Sequence, residues 1–177
     1  DTGAEGSART AMKICVLTGG SSSERDVAFA SAGQVVAALR SRGHQVAVAD
    51  TTTGLLDSAA ETRLLQPLVR TTPPDRGAIE ALMDAERRVL FGGLLSEHAI
   101  RDADVVFLGL HGGRGEDGTI QNLLGLADVR YTGSGPLGSA VALDKDLSKR
   151  LFLVSEVPTA AWLMTPVTVA AVDLELD

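Results

Sequence analysis

The stretch from Lys13 to Asp50 restricts the fold more than any other part of the chain. "KICVLT" (Lys13–Thr18) is a short apolar, partly β-branched run that ends at Gly19-Gly20, and it predicts a buried strand. Ser21-x-x-Glu24 and Ser23-x-x-Asp26 both fit the helix-start pattern in which a hydroxyl caps free backbone amides. Val27, Ser31, Val35 and Leu39 then fall on one stripe, with Ala28, Ala32 and Val36 beside it, which predicts a helix closed at Gly43. "QVAVAD" (Gln45–Asp50) reads as the next strand. Strand, helix and strand within about forty residues make a βαβ unit, whose parallel strands need a crossover of this size and cover on both faces.

The pattern returns with "DVVFLGL" (Asp104–Leu110), a strand that runs straight into "HGGRGEDGT". "IQNLLGLA" looks helical, and "VRYTGSG" suggests a short strand ending in a turn. From Gly138 on, Ala140, Leu143, Leu147, Leu151 and Val154 predict one helix that runs until Pro158. "TAAWLMT" is a strand candidate, and "PVTVAAVDLELD" ends without a stop signal. Between the two regions "AIEALMDAERRVL" is a helix candidate and "TTPPDRG" a turn or linker, while residues 51–77 read only as connection. The alternation defines an α/β fold with an open doubly wound parallel sheet, and such sheets take ligands in the crevice at the carboxyl ends of their strands. Both glycine-rich loops, "GGSSSERD" and "HGGRGEDG", occupy such ends.

Composition narrows the function. The formal net charge is −7, which disfavours nucleic acid and anionic membrane as partners. Hydrophobic residues make up 45% and aromatics only 3%, so the core must be aliphatic. The single cysteine, Cys15, lies inside the first apolar run and reads as packing; one cysteine allows no disulfide framework and no cysteine-rich zinc site. No apolar run approaches the length of a membrane span. "DTGAEGSARTA" lacks the basic and apolar regions of a signal peptide; it reads as a disordered leader over residues 1–11, with the cytoplasm as the default location.

A glycine-rich strand–helix turn usually cradles phosphate, yet this one carries Glu24 and Asp26 in the first helical turn. A helix N-terminus already favours these acids, and beside them a phosphate would meet like charge where an ammonium would be attracted. The plain alternative is that they only complement the helix dipole. Asp50, at the end of the second strand, is where a ribose-binding acid would sit in a nucleotide-dependent oxidoreductase, but Gly19-Gly20 followed by three serines lacks the G-x-G-x-x-G fingerprint. In the second loop His111, Arg114, Glu116 and Asp117 stand among four glycines, which leave room for a ligand to approach the backbone. His111 and Glu116 lack a helical metal-ligand spacing. In "ALDKDLSKR" Lys145 and Lys149 are either solvated charges or, for Lys145, a phosphate contact.

Taken together, "KICVLTGGSSSERDVAFASAG", "VVFLGLHGGRGEDGTIQNLLGLADVRYTGSG" and "SAVALDKDLSKRLF" resemble the N-terminal part of the D-alanine–D-alanine ligases, ATP-grasp enzymes of peptidoglycan precursor synthesis. The resemblance implies a Rossmann-like pre-ATP-grasp substrate domain over residues 12–136 and the truncated start of an ATP-grasp domain over 137–177. It implies that ATP phosphorylates one D-alanine and that the amine of a second attacks the acyl phosphate. Glu24 would hold the ammonium of the first D-alanine, with Ser23, His111 and Glu116 lining the same substrate site and Asp117 supporting it. Glu24 and His111 would be the catalytic pair, and Lys145 would contact the nucleotide phosphates. Mg2+ would accompany ATP, with its ligands beyond this chain, and a homodimer is the expected assembly. The stretch between Asp50 and Asp104 is longer than in the shortest members of that family, which implies an added surface segment within it. A non-catalytic binding module or remnant, and a D-alanine–D-lactate or D-serine ligase, are the alternatives.

Overall fold

The computed structural model describes residues 11–66 and 68–164; the leader expected over residues 1–11, apart from Ala11, and the segment "PVTVAAVDLELD" lie outside them. Four strands, β1 (Lys13–Thr18), β2 (Gln45–Asp50), β3 (Gly54–Leu55) and β4 (Val105–Leu108), form one sheet in the order β3-β2-β1-β4. β1 is central and pairs in parallel with both neighbours, Lys13 through Thr18 against Gln45 through Asp50, and Ile14 through Leu17 against Val105 through Leu108. A parallel bridge from Val106 to Tyr131 adds the short extended piece expected in "VRYTGSG". β3 departs from the all-parallel expectation: it is a two-residue antiparallel hook on the β2 edge, formed when the chain turns back at Gly54.

The near-continuous apolar character of β1 follows from cover on both faces. Ile14 and Val16 pack with Phe29, Ala32, Val36, Val48 and Leu56 on one side. Cys15 and Leu17 pack with Leu94, Ile100, Val106, Leu110, Ile120 and Leu124 on the other. Helix α1 (Arg25–Ser41) covers the first face with Ala28, Phe29, Ala32 and Val36, while Val27 is exposed. Of the two adjacent stripes, the one with small alanines is turned inward. A Cβ on Gly109, just past β4, would sit 3.9 Å from that of Ala32, so the helix lies close to the sheet.

Residues 51–77 hold more than connection. They contain β3 and α2 (Ser58–Leu64), which Asp57 caps by accepting from Ala60 N at 2.7 Å. Asp75 likewise caps α3 (Arg76–Phe91), the helix expected around "AIEALMDAERRVL". The stretch between Asp50 and Asp104 also contributes to the interior. Glu86 of α3, Leu94 in the 3-10 turn that follows α3, and Ile100 of the short helix α4 (His98–Arg101) are all buried, and the last two belong to the core.

After α5 (Thr119–Leu126) the single helix expected from Gly138 to Pro158 is two, α6 (Pro136–Leu143) and α7 (Lys145–Val154). Asp144 breaks them apart: its backbone is extended, and its carboxylate accepts from Leu147 N at 3.0 Å. A short acidic side chain that bonds nearby amides favours a cap over a helix interior. The stripe Leu143, Leu147 and Leu151 is partly exposed. Residues 159–164 of the strand candidate "TAAWLMT" form no strand. Side chains of α7 hold that stretch instead: Lys149 donates to Thr159 Oγ1 and Ala160 O, and Asp146 accepts from the Trp162 indole. Among the described residues no helix is long and apolar enough to cross a membrane.

Candidate functional site

With β1 between β2 and β4, the chain leaves β1 to one side and returns on the other. The crevice of a doubly wound sheet opens at such a reversal. The loop after β1 (19–24) and the loop after β4 (109–118) therefore meet. Ser22 Oγ donates to His111 O at 2.5 Å and accepts from Glu24 N at 3.1 Å. Gly112 is held at φ +68°, and a Cβ there would fall 3.0 Å from Glu24 Oε2 and 3.1 Å from Ser22 Cβ. The Glu24 carboxylate thus lies against the second loop, exposed to solvent.

Beneath this junction sit two buried carboxylates. Asp50 is fully buried and pairs with the Arg25 guanidinium, while also accepting from Thr52 N, Thr52 Oγ1 and Thr53 Oγ1 at 2.9–3.1 Å. Arg25 also donates to Gly20 O at 2.8 Å, so it clamps the first loop onto the end of β2. The clamp demands glycine at position 19, where φ is +79° and a Cβ would lie 2.3 Å from Asp50 Oδ1. The second carboxylate, Glu86 of α3, is 2% exposed. It accepts from Ser21 Oγ and Thr51 Oγ1 at 2.6 Å each and pairs with Arg114 at 2.7 Å.

The alternative of Asp50 as a ribose-binding acid is overturned by this arrangement, because every direction around its carboxylate is taken by Arg25 and the threonines. The capping expectation also changes. Helix α1 begins at Arg25 with no side-chain cap at Glu24: of the two expected caps, Ser21 is drawn to Glu86 and Ser23 stands exposed. Asp26 is not a free acid either: Arg70 hydrogen-bonds it and holds its carboxyl below the usual carboxylate range, partly offset by burial. Cys15 is buried as expected, and burial pushes its thiol up to about 12.

Of the residues singled out from sequence, Glu24 and the His111 backbone come together at the loop junction. Ser23 is exposed, and the hydroxyl that joins the loops belongs to Ser22. Asp117 turns to its own backbone and accepts from Thr119 N at 2.8 Å, at the start of α5. Glu116 and Lys145, 29 residues apart in sequence (145 − 116), line one cavity of about 300 Å³ with Gln121, Ser134, Gly138 and Ser139. Gln121 is 5% exposed, donates to Gly115 O at 2.8 Å and leaves its Oε1 without a partner among the described residues. Among the described residues no group of three or more His, Cys, Asp or Glu side chains is placed to hold a metal ion.

Sequence reasoning missed Ser22, Arg25 and Glu86 as elements of the site, and it placed Arg114 in the loop without its buried partner. Glu86 had a signal. On α3 the inward stripe runs Ile79, Leu82, Glu86, Val89 and Leu90, and a carboxylate at the centre of an apolar stripe needs buried partners.

An α/β layer with a polar crevice at the carboxyl ends of its parallel strands, walled by two interlocked glycine-rich loops, defines a domain of the doubly wound class. The family model for the D-ala D-ala ligase N-terminus matches residues 13–134, and the chain belongs to that family. It is 37% identical over 159 residues to the D-alanine–D-alanine ligase of Pediococcus pentosaceus, which covers 84% of this chain and 45% of that protein. To the D-alanine–D-alanine ligase of Leptospira interrogans it is 38% identical over 145 residues, 81% of this chain and 40% of that one. Among solved structures, the Bacillus anthracis D-alanine–D-alanine ligase complexed with ATP superposes with a TM-score of 0.59 at 25% identity, over 93% of this chain and 43% of that one. The Coxiella burnetii D-alanine–D-alanine ligase, at TM-score 0.61 and 24% identity, covers 94% of this chain and 48% of its own and agrees in fold. The chain spans less than half the length of each of these relatives.

Proposed function

We propose that this chain is the amino-acid-facing part of an ATP-dependent ligase that joins two D-alanines for peptidoglycan precursor synthesis. The observation that carries the reading is the state of Glu24. Among the described residues Asp26, Asp50 and Glu86 each close an ion pair with an arginine, whereas Glu24 closes none and lies exposed at the loop junction. An unpaired carboxylate at the crevice suits the ammonium of an amino acid. His111 lines the same junction. Lys145, the first residue of α7, faces the neighbouring cavity with Glu116, where a cation would offset phosphate charge.

In the reaction, a carboxylate oxygen of the first D-alanine attacks the γ-phosphorus of ATP and ADP leaves. The amine of the second D-alanine then attacks the acyl carbon, loses a proton, and inorganic phosphate departs. The role of this chain is to hold the first amino acid by its ammonium so that its carboxylate meets the phosphoryl donor; such positioning supplies much of the rate. Mg2+ would accompany ATP and offset phosphate charge in the phosphoryl transfer; among the described residues no group of carboxylates is placed to hold it. The reading brings with it action in the cytoplasm and a homodimer, with α6 and α7 as the start of the nucleotide-binding domain.

The test is ATP-dependent dipeptide formation by the protein that carries this chain, with D-lactate and D-serine offered in parallel as second substrates. Glu24→Gln is expected to raise KM for the first D-alanine by about tenfold or more, as loss of one charge-assisted contact would, and to leave KM for ATP unchanged. Equal effects on both substrates, or none, would refute the role of Glu24. Faster use of D-lactate or D-serine would reassign the second substrate.

A further inference from the structure

We infer that Glu86 is a positioning residue for the amino-acid site, acting through the two loops from the helix behind them. The inference rests on the ligase reading only for its kinetic readout. The carboxylate joins three segments at once: Ser21, directly after Gly19-Gly20; Thr51, directly after β2; and Arg114, in the middle of the second loop. In that loop residues 112–115 are Gly-Gly-Arg-Gly, so Arg114 carries the only side chain that can anchor the run. Gly112 and Gly113 both have positive φ, and beyond them the loop has only one short 3-10 turn, Gly113–Gly115, to support its backbone. Two ties therefore hold the loops in register: Ser21–Glu86–Arg114 below and Ser22–His111 above. Without the lower tie the Ser22 hydroxyl alone joins the first loop to the second, whose far side stays held by Gln121 at Gly115 O, and the spacing between Glu24 and His111 loosens. An apolar residue at position 86 would continue the inward stripe of α3 more cheaply, since a buried carboxylate must be fully hydrogen-bonded to persist. Its presence at that point indicates that the connection matters more than the packing.

The experiment uses two variants. Glu86→Gln keeps the shape and removes the charge; Arg114→Gln alters a half-buried side chain and spares the helix. Amide hydrogen exchange of the chain is expected to accelerate by about tenfold over residues 111–118 in both, while β1 and β4 keep their protection. The double variant should be no worse than the worse single, because both sever one tie. In the protein that carries this chain, KM for D-alanine should rise by about tenfold with KM for ATP within about twofold of the parent. Acceleration spread evenly through the sheet would make Glu86 a stability element only and overturn the inference. Unchanged loop exchange would also overturn it, as would loosened loops with an unaltered D-alanine KM. If the parent forms no dipeptide at all, the ligase reading falls, and the exchange comparison still decides whether Glu86 fixes the loops.

Discussion

Replacing Gly112 by alanine perturbs the loop junction at its tightest point. The residue has φ +68° and ψ 174°, a region open essentially to glycine, where any other residue costs about 1–3 kcal/mol. The new methyl would stand 3.0 Å from Glu24 Oε2 and 3.1 and 3.2 Å from Ser22 Cβ and Oγ, so the Glu24 carboxylate must give way. In a chain of 177 residues each kcal/mol lowers Tm by about 2–4 °C, which predicts a fall of about 2–12 °C. If Glu24 binds the substrate ammonium as proposed, displacing its carboxylate should also cost about tenfold in D-alanine affinity, part of one charge-assisted hydrogen bond. Gly113→Ala provides the comparison. Its φ of +52° is likewise left-handed, worth about 1–2 kcal/mol, but a Cβ there meets only Ser22 Cβ at 3.7 Å, an ordinary contact. Both variants should melt earlier, and only Gly112→Ala should weaken D-alanine, as read by thermal denaturation and by KM. Equal D-alanine losses in the two, or none in either, would refute the placement of Glu24 against the second loop.

Asp50→Asn leaves the Arg25 guanidinium, 12% exposed, without its carboxylate and should lower unfolding free energy by about 3–5 kcal/mol in a denaturant titration; a loss below about 1 kcal/mol would mean that the threonines alone hold the β2 end. Lys145→Ala should raise KM for ATP and leave KM for D-alanine unchanged, and an effect confined to D-alanine would reverse that assignment. Cys15 should resist thiol reagents in the folded protein and react on unfolding. Its folded pKa, about 12, lies above the unfolded value of about 8.5, so the stability tied to the neutral thiol is whole below the unfolded value and drains away as pH rises toward the folded one. Cys15→Ala should flatten that alkaline decline.

The elements legible in the sequence are those whose period is enforced by burial. β1, α1, β2 and β4 each present enough apolar residues to the two core clusters for the pattern to show. β3 and α2 do not: one is two residues long, and the other buries none of its residues fully, so neither leaves a period to read. The division of α6 from α7 escaped because the leucine stripe continues in phase across Asp144, while the break comes from one side chain bonding an amide three residues on.

The site was half legible for a related reason. A motif places acids on a loop, and only the fold decides which of them are already spent on partners far along the chain. Asp26 is taken by Arg70 from 44 residues away, Asp50 by Arg25 from 25, and Glu86 by Arg114 from 28. Those pairings are invisible to spacing, and each removes a carboxylate from the set that could meet a ligand. The question of why acids stand at the start of α1 therefore has two answers. Asp26 fastens the 70 region to the helix, and Glu24, left over by the same subtraction, is the acid directed at the crevice. Local charge at a helix N-terminus cannot separate the two, since both satisfy the dipole equally well; it is the long-range arginines that do.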